Sequence, residues 1–525
     1  ELSGAKLGQN HAQLPLYRAP SLDWALSGQT GVRFNRDDAF RRISRSFHAV
    51  KDSEYAPPVS LQKTLRKYQR DGYRWLRTLD GYGMGGILAD DMGLGKTVQV
   101  LSYLLAMKQN GQTLPSLIVC PASLVLNWAE ECQKFTPELS CVVVDGDAAH
   151  RAELAESWPA ADLVVTSYDL LRRDEALYEG QEFYACILDE AQAIKNHTTQ
   201  KYKAVCKVRS RVRFALTGTP VENRLGELWS IFSFLMPGYL PPYKSFCSRF
   251  EKPIVQEEDQ TALRRLNQLT GPFILRRMKS DVLKELPPKT ENVYRIELEE
   301  EQRKLYLAAV VDAREKLQAA KPEDKMAVFA VLMRLREICC DPRLIADNWE
   351  GGSAKLDACV ELISSAVEGG HRILLFSQFT SMLELLAKRL DAEGISHFTL
   401  QGSTPKPVRA ELVRRFNGGE VSVFLISLRA GGTGLNLTAA DIVIHYDPWW
   451  NVAAQNQATD RAYRIGQQNP VQVYKLIAQD TIEEKIVELQ QAKQSLADTV
   501  TGTADGAILS MRPDELLQLL EGSEP

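Results

Sequence analysis

Short apolar runs alternate with helical stretches from about Leu61 to Pro237, and this alternation indicates how the first part of the chain folds. The runs of this part are Leu117–Cys120, Cys141–Val144, Leu163–Thr166, Cys186–Leu188 and Phe214–Leu216. Continuous apolar runs of this length are typical of strands buried on both faces, with helices between them as the crossovers of a parallel sheet. The pattern therefore predicts a doubly wound α/β lobe.

The same alternation returns after Lys355 and predicts a second lobe. The runs of this part are Ile373–Phe376, His397–Leu400, Val421–Ile426, Ile442–His445 and Val471–Ile477. Two doubly wound parallel sheets in tandem are the simplest arrangement that gives each set of runs its own core. The predicted fold class is therefore α/β.

The stretch between the two lobes has a different composition. Residues Tyr243 to Asp347 are rich in Leu, Arg, Glu and Lys at helical spacing, which predicts a helical insertion attached to the first lobe. Gly351–Ser353 is a candidate hinge before the second lobe. Thr481 and Glu484 have capping-box spacing and predict a long helix, and a short helix is predicted over Asp514–Leu520. The predicted segments are an N-terminal extension of unassigned function over 1–56, a first lobe over 57–242, the insertion over 243–350, a second lobe over 351–480 and a C-terminal helical extension over 481–525.

Charge changes the picture little. The 63 Lys and Arg residues against 67 Asp and Glu residues give a net charge of -4, so binding to a polyanion requires local basic patches. Basic clusters occur at Arg41–Arg42, Lys63–Arg74 and Arg276–Lys279. From composition alone, we interpret each of them as a solvated helix face.

Cysteine and histidine usage argues against a metal cage. None of the nine cysteines forms a Cys-x-x-Cys pair, and the seven histidines are dispersed, so we expect no zinc site. Scattered cysteines fit a reducing compartment. No apolar run reaches membrane-spanning length and no signal peptide is recognisable, so we expect no membrane partner. Because the chain starts at Glu1, we expect it to be a fragment of a longer protein.

The strongest chemical signal is a glycine-rich turn between a strand and a helix. The apolar run Gly86–Ala89 leads into this turn, and the helix Val98–Lys108 follows it. A turn of this kind binds phosphate, because backbone N–H groups and the helix dipole converge there. Lys96 is expected to reach the β- and γ-phosphates and Thr97 to bind Mg²⁺. The residues predicted to form this nucleotide site are Asp91, Met92, Gly93, Leu94, Gly95, Lys96 and Thr97.

This turn departs from the standard phosphate-loop pattern, since Asp90 stands where the first Gly is usual. The alternative is an ordinary glycine-rich turn with a nearby lysine. A second signal weakens that alternative. The run Cys186–Leu188 leads into the adjacent acids Asp189 and Glu190. Asp189 is predicted to hold Mg²⁺ directly or through a water, and Glu190 to orient and polarise the attacking water. The alternative is a helix start enriched in acids.

A pair of arginines in the second lobe is a further candidate. Arg461 and Arg464 are three residues apart, so on a helix they share one face. Arginines from a separate lobe can stabilise charge on a transferring phosphoryl group. The alternative is a surface pair that forms ordinary salt bridges.

Taken in order, these strings resemble the Swi/Snf-type ATPases of helicase superfamily two. The strings are DMGLGKT, DEAQ, Leu216–Pro220 and QATDRAYRIGQ, with further matches at Leu65–Gln69, Cys120–Leu124, Thr166–Tyr168, Phe376–Phe379 and Ser427–Asn436. They cover about Leu61 to Glu484. The resemblance implies two RecA-like lobes with ATP between them, in a compact, prokaryotic-type member of the family.

The resemblance also implies residue roles. Gln69 corresponds to the adenine-reading glutamine, and Gln192 and Gly434 complete the nucleotide site. The residues implied to couple hydrolysis to lobe movement are Thr217, Thr219, Gln457 and Asp460. The residues implied to contact DNA are Ser123, Thr166, Gln378, Gly402, Arg429 and Thr433. The alternative for each contact residue is local, namely a capping hydroxyl or a turn.

Some positions depart from the family pattern. Gln192 replaces a His that is frequent in the wider superfamily, Val452 stands where Pro is common, and Tyr463 stands where His is common. An amide can still form hydrogen bonds, so we expect activity to survive the change at position 192.

The function implied is ATP- and Mg²⁺-dependent movement along double-stranded DNA, with remodelling of a DNA-bound protein. We expect a monomer, located in the cytoplasm with the nucleoid if the protein is prokaryotic and in the nucleus otherwise. Two alternatives stay open: a strand-separating DNA or RNA helicase, and a non-enzymatic DNA-binding scaffold. The intact Lys96, Glu190 and Arg464 argue against the scaffold.

Overall fold

The computed structural model describes residues 6–7, 12–13, 35, 37–38, 54–218, 225–257, 259–319, 324–346, 348–428, 435–449, 452–490 and 516–517. The chain divides into two compact units, Glu1–Lys284 and Glu285–Pro525. A small antiparallel pair near the start is formed by β1 (Lys6–Leu7) and β2 (Ala12–Gln13).

The first unit is built on a sheet of seven parallel strands. They are β3 (Gly86–Leu88), β4 (Ser116–Cys120), β5 (Cys141–Val143), β6 (Leu163–Ser167), β7 (Glu182–Asp189), β8 (Arg209–Leu216) and β9 (Ile274–Leu275). Their order is β5-β6-β4-β7-β8-β3-β9. Every residue of β4 and β6 is buried, as expected for strands covered on both faces. All five predicted runs of this lobe are strands.

Helices cover the sheet of the first unit. They are α1 (Lys67–Gly81), α2 (Lys96–Gln109), α3 (Val125–Phe135), α4 (Ala148–Ser157), α5 (Tyr168–Arg173), α6 (Glu175–Tyr178), α7 (Gln200–Lys207), α8 (Leu225–Leu235), α9 (Tyr243–Phe246), α10 (Lys252–Gln256), α11 (Gln260–Thr270) and α12 (Lys279–Val282). The helix α2 is buried from Val98 to Ala106 without interruption, which fixes the glycine-rich turn at its start against the core. Side-chain caps begin α5 and α7, where Ser167 accepts from Leu170 N and Thr199 accepts from Tyr202 N.

The second unit contains a sheet of six parallel strands. They are β10 (Lys289–Ile296), β11 (Ile373–Ser377), β12 (His397–Leu400), β13 (Val423–Ser427), β14 (Ile442–His445) and β15 (Val471–Ala478). Their order is β10-β15-β14-β11-β13-β12. Along β11, Ile373 and Leu375 belong to one apolar cluster, and Leu374 and Phe376 belong to the cluster on the opposite face. This sheet matches the second predicted set of runs and adds β10.

The helices of the second unit are α13 (Glu300–Ala319), α14 (Lys325–Cys340), α15 (Ala354–Glu368), α16 (Thr380–Ala392), α17 (Lys406–Asn417) and α18 (Val452–Thr459), followed by helical residues 482–490. A third apolar cluster joins α13 and α14 to residues Ile482, Ile486 and Leu516. Before the 482–490 helix, the Thr481 hydroxyl accepts from Glu483 N, and a Glu484 carboxylate oxygen accepts from Asp480 N.

The predicted insertion, 243–350, holds α9 to α14 and also the strands β9 and β10, one in each sheet. The boundary between the two units falls inside this range, after Lys284. The division into five segments stays a prediction. Of the predicted short helix Asp514–Leu520, only residues 516–517 are described, and these are helical. Among the described residues, no helix has both the length and the apolar character needed to cross a membrane.

Candidate nucleotide site

The glycine-rich turn joins β3 to α2 and depends on its glycines. Gly93 and Gly95 adopt φ values of 81° and 76°, in the left-handed region that favours glycine. A Cβ atom at Gly95 would lie 2.6 Å from Nε2 of Gln69, so a side chain has no room there. The turn ends where α2 begins, and the first N–H groups of a helix have no partner within it. These features suit the binding of a phosphate group.

Lys96, the first residue of α2, folds back over this turn. Its Nζ atom donates a hydrogen bond to the carbonyl of Asp90 at 2.6 Å and lies 3.4 Å from the carbonyl of Asp91. Thr97 follows in the first turn of the helix and is half-buried. The ammonium group therefore lies against the carbonyls at the start of the turn, and its phosphate-binding role stays a prediction.

Two side chains of helix α1 form hydrogen bonds with the glycine-rich turn. The Tyr68 hydroxyl and Nε2 of Gln69 both donate to the carbonyl of Leu94, at 2.9 and 3.0 Å. The amide oxygen of Gln69 accepts from Arg66 N at 2.9 Å and so caps α1. Gln69 is thus bonded to the phosphate turn itself, a contact that the sequence did not indicate.

Two adjacent acids follow β7. Trp128 Nε1 donates to Asp189 Oδ2 at 2.8 Å, and the backbone N of Glu190 donates to Asp189 Oδ1 at 2.9 Å. Glu190 has a φ of 49°, which is uncommon for a residue with a side chain and directs it away from the path of the strand.

The electrostatics of this pair suit a divalent cation. Burial raises the pKa of Asp189 to about 7, and the charge of Glu190 adds to the rise, whereas the Trp128 hydrogen bond and the charge of Lys96 oppose it. A buried carboxylate whose pKa is raised lacks enough positive charge nearby to stabilise its ionised form. Oxygen ligands of this type are those that Mg²⁺ prefers, so the residues fit the predicted metal.

Hydrogen bonds connect these acids to the end of β8. Nε2 of Gln192 donates to Glu190 Oε2 at 2.7 Å, and the Thr217 hydroxyl donates to Oε1 of Gln192 at 3.0 Å. The backbone N of Thr217 in turn donates to the carbonyl of Leu88, at the end of β3. The structure therefore brings Glu190, Gln192 and Thr217 together. Thr219, predicted to act with Thr217, lies outside the described residues.

One arginine of this site was missed. We interpreted Arg276–Lys279 as a solvated helix face, and for Arg277 this is wrong, since its side chain is 12% exposed and pairs with the buried Asp90. The signal that pointed to it is Asp90 itself, because an acid in place of the usual glycine needs a positive partner.

The two arginines of the second unit lie beyond the end of α18, so the expectation that they share a helix face is wrong. Arg461 N donates to the carbonyl of Ala458, three residues back, and the Arg461 carbonyl accepts from Leu437 N at 3.1 Å. The neighbouring segment thus takes the carbonyl that a continuing helix would use. Arg461 is 1% exposed and Arg464 is half-buried. Gln457, within α18, and Asp460, just after it, are both half-buried.

The residues predicted to contact DNA differ in their accessibility. Thr166 is fully buried in β6, and its hydroxyl accepts from the Tyr178 hydroxyl at 3.1 Å. Ser123 is half-buried in the turn after β4, and Gly402 is exposed after β12.

Gln378 follows β11, and its side-chain nitrogen is buried without a hydrogen-bond partner among the described residues. Arg429 and Thr433, like Gly434 of the predicted nucleotide site, lie outside the described part of the chain.

Two family models match the chain. The SNF2-related domain matches residues 68–344, more than half of the chain, and the Helicase conserved C-terminal domain matches residues 354–466.

Three relatives show how far the similarity extends. An uncharacterized ATP-dependent helicase of Mycoplasma genitalium is 40% identical over 463 residues, which are 87% of this chain and 44% of the relative. A putative ATP-dependent helicase/translocase of Bacillus subtilis, YwqA, is 39% identical over 505 residues, 94% of this chain and 55% of the relative. The human TATA-binding protein-associated factor 172 is 36% identical over 542 residues, which are 89% of this chain and 29% of the relative. The chain thus spans about half or less of the length of these relatives.

Among solved structures, the Sulfolobus solfataricus SWI2/SNF2 ATPase core in complex with dsDNA is 36% identical, with 86% of this chain and 96% of that chain covered and a TM-score of 0.43. The sequence identity and coverage carry the family assignment, not the superposition. The chain belongs to the SNF2-related family of helicase-like ATPases, and this membership supports ATP-hydrolysing activity.

Proposed function

We propose that this chain is the motor of an ATP-dependent double-stranded DNA translocase. The observation that carries the proposal is the hydrogen-bonded series Glu190, Gln192 and Thr217 beside the glycine-rich turn. The series links Glu190, the acid suited to activate water, to Thr217 at the end of strand β8. A displacement of Glu190 when the nucleotide is hydrolysed would therefore be transmitted to Thr217.

The catalytic roles follow from the donors and acceptors available. The N–H groups of the turn and Lys96 bind the phosphates of ATP, and Thr97 and Asp189 hold Mg²⁺, which when bound neutralises charge on the phosphates. Glu190 accepts the proton of the attacking water and orients it. Gln192 holds the Glu190 carboxylate through its 2.7 Å hydrogen bond.

The second unit contributes charge and coupling in this proposal. Arg464, and Arg461 with it, stabilise charge on the transferring phosphoryl group. Gln457 and Asp460, which flank the end of α18, take part with Thr217 in coupling hydrolysis to movement. Thr219 and Gly434 are assigned on the family resemblance alone.

DNA binding in this proposal uses phosphate contacts from polar groups. Gln378, half-buried directly after β11, is one of the proposed contacts, since amide side chains commonly bind phosphate. Thr166 is left out of the proposed contacts, because the residue is fully buried within β6 and its hydroxyl is bonded to Tyr178. The other contacts proposed are Ser123, Gly402, Arg429 and Thr433. The Sulfolobus solfataricus SWI2/SNF2 ATPase core, 36% identical to this chain, is in complex with dsDNA, which supports a duplex as the substrate.

A DNA-bound protein is the proposed cargo. Relatives named TATA-binding protein-associated factors suggest that motors of this kind act where a protein sits on DNA. A motor that contacts phosphates is indifferent to sequence and can move up to such a protein from any side.

Two assays decide between translocation and strand separation. We expect duplex DNA to stimulate ATP hydrolysis, the chain to displace the third strand of a triplex and a forked duplex to stay paired. The Lys96→Ala variant, which we expect to be inactive, is the control in both assays. Binding is expected to weaken steeply with salt, because the net charge of -4 leaves it to a local basic surface. Efficient fork unwinding without triplex displacement would favour a helicase instead.

A further inference from the structure

We propose that Arg277 is a positioning residue of the nucleotide site, which neutralises Asp90 below the phosphate turn and thereby sets the affinity for nucleotide. The inference rests on the proposed ATP site and names a residue 187 positions away from Asp90 in the sequence. Its physical basis is a buried carboxylate at the start of a turn that must attract an anion.

The contacts form a closed three-residue network. Arg277 Nε donates to Asp90 Oδ1 at 2.7 Å, and Arg277 Nη2 donates both to Asp90 Oδ2 and to Gln99 Oε1, the latter at 2.8 Å. Nε2 of Gln99 donates to Asp90 Oδ2 at 3.1 Å. Asp90 is 0% exposed, and two-point pairing of a guanidinium with a carboxylate is the strongest form of such an ion pair.

Backbone hydrogen bonds fix the segment that carries Arg277 to both sides of Asp90. Ala89 N donates to the carbonyl of Leu275 at 2.7 Å, and Asp91 N donates to the carbonyl of Arg277 at 3.0 Å. Lys279 N donates to Asp91 Oδ2 at 2.9 Å. The backbone of Arg277 is therefore fixed beside Asp90, at the start of the turn.

The side chains of Gln99 and Arg277 pack closely against helix α1, which has a glycine, Gly72, at the point of contact. A Cβ atom at Gly72, on α1, would lie 1.8 Å from Oε1 of Gln99 and 2.8 Å from Nη2 of Arg277. The Arg277 guanidinium also lies over the Tyr68 ring, 5.2 Å from its centre, and Tyr68 is bonded to the turn at Leu94. Arg277 thus contacts Asp90, at the start of the turn, and also Tyr68, which is bonded to Leu94 within the turn.

The charges of Arg277 and Asp90 are expected to affect how tightly the nucleotide binds. Nζ of Lys96 donates to the backbone carbonyl of Asp90 at 2.6 Å, so the residue that carries the buried carboxylate is bonded through its backbone to the lysine proposed to hold phosphate. Without the Arg277 guanidinium, an uncompensated buried carboxylate at the start of the turn would repel the phosphates. With both charges removed, this repulsion disappears. A double variant is therefore expected to bind nucleotide better than the single arginine variant.

The test is a titration of the full chain with a fluorescent ATP analogue in Mg²⁺, on variants that circular dichroism shows to be folded. We expect Arg277→Gln to raise the Kd about tenfold or more, Arg277→Lys to raise it less, and Asp90→Asn/Arg277→Gln to recover most of the affinity. Arg264→Gln, which removes an exposed positive charge from α11, is the matched control and should leave the Kd unchanged. In steady-state ATPase assays, we expect KM to rise more than kcat falls.

Each result has one meaning. Wild-type affinity in Arg277→Gln would overturn the inference, and so would a double variant as weak as the single one, because the effect would then not come from charge. If Arg277→Gln does not fold, the comparison of Arg277→Lys with the double variant decides in the same way. A wild-type chain that binds no nucleotide would instead remove the proposed function.

Discussion

Gln192 donates a hydrogen bond from its amide nitrogen to a carboxylate oxygen of Glu190, across 2.7 Å. Its amide oxygen accepts from the Thr217 hydroxyl at 3.0 Å, so this one side chain joins the ends of β7 and β8. An amide presents a donor on one side and an acceptor on the other in a single plane. The glutamine thus provides the connection for which the wider superfamily often has a histidine.

The first prediction concerns this connection. Gln192→Ala removes both bonds and lets the Glu190 carboxylate reorient, so we expect kcat to fall about 10- to 100-fold, as for other partners that orient a catalytic carboxylate. Nucleotide should still bind, because Lys96 and the glycine-rich turn, not Gln192, are proposed to hold the phosphates. Gln192→His, which keeps a donor and an acceptor, is the control and should retain more activity. A full rate in Gln192→Ala would remove Gln192 from the mechanism.

Lys96 carries the second prediction. Lys96→Ala should abolish ATP hydrolysis, because no other cation is proposed to bind the phosphates from the first unit. Binding of a DNA duplex should persist, since Lys96 contacts the turn and not the proposed DNA residues. Both are measured on the same preparation, by phosphate release and by fluorescence anisotropy of a labelled duplex. A near-normal rate of hydrolysis would show that the turn does not bind ATP.

The third prediction separates Arg464 from Arg461. Arg464→Ala should lower kcat by on the order of 10³-fold, the loss expected for an arginine that acts on transition-state charge, with nucleotide affinity within a few-fold. Arg461 is 1% exposed, so Arg461→Ala should also lower the melting temperature, a second effect absent from Arg464→Ala. Full turnover in Arg464→Ala would transfer the proposed role to Arg461.

The sheets were predictable where strands are buried and not where they lie at an edge. The runs Leu117–Cys120 and Ile373–Phe376 are central strands in which apolar residues fill both faces. The edge strand β10, Lys289–Ile296, is exposed along seven of its eight residues, so its sequence has no apolar run by which to detect it. The strand is defined by its pairing with β15, far away in the chain.

The site was predictable where one local segment carries the chemistry. Lys96 and Glu190 each lie in a short string from which their roles were predicted. Asp90 indicates that a positive partner is needed, but the partner, Arg277, lies 187 positions away, and no local pattern identifies it. The arginines Arg461 and Arg464 were placed on a helix because their spacing allows it, but the helix ends at Thr459, and the Arg461 carbonyl accepts from Leu437 N instead.

A buried histidine gives the second unit its own dependence on pH. His445, at the end of β14, is fully enclosed, and its Nε2 lies 2.9 Å from the Thr459 hydroxyl. Burial is the main reason why the pKa of His445 is lowered to about 3, and the charges of Lys475 and Lys289 act in the same direction, against that of Glu291. The imidazole is therefore neutral in the folded protein at pH values where the unfolded chain takes up a proton.

The fourth prediction follows from that difference. Because the folded pKa lies below the ordinary value of 6.5, the unfolded state binds more protons between these values, and stability is lost as pH falls through 6.5 towards 3. From pH 7 to pH 5 this group alone should lower the free energy of unfolding by about 2 kcal/mol. Carboxylates also titrate over this range, so the comparison is with His445→Gln, which stays neutral. Urea denaturation of both proteins at the two pH values should show the wild type losing about 2 kcal/mol more than the variant. Equal losses would mean that His445 is accessible to protons in the folded state, and that its enclosure by β14 and α18 opens easily.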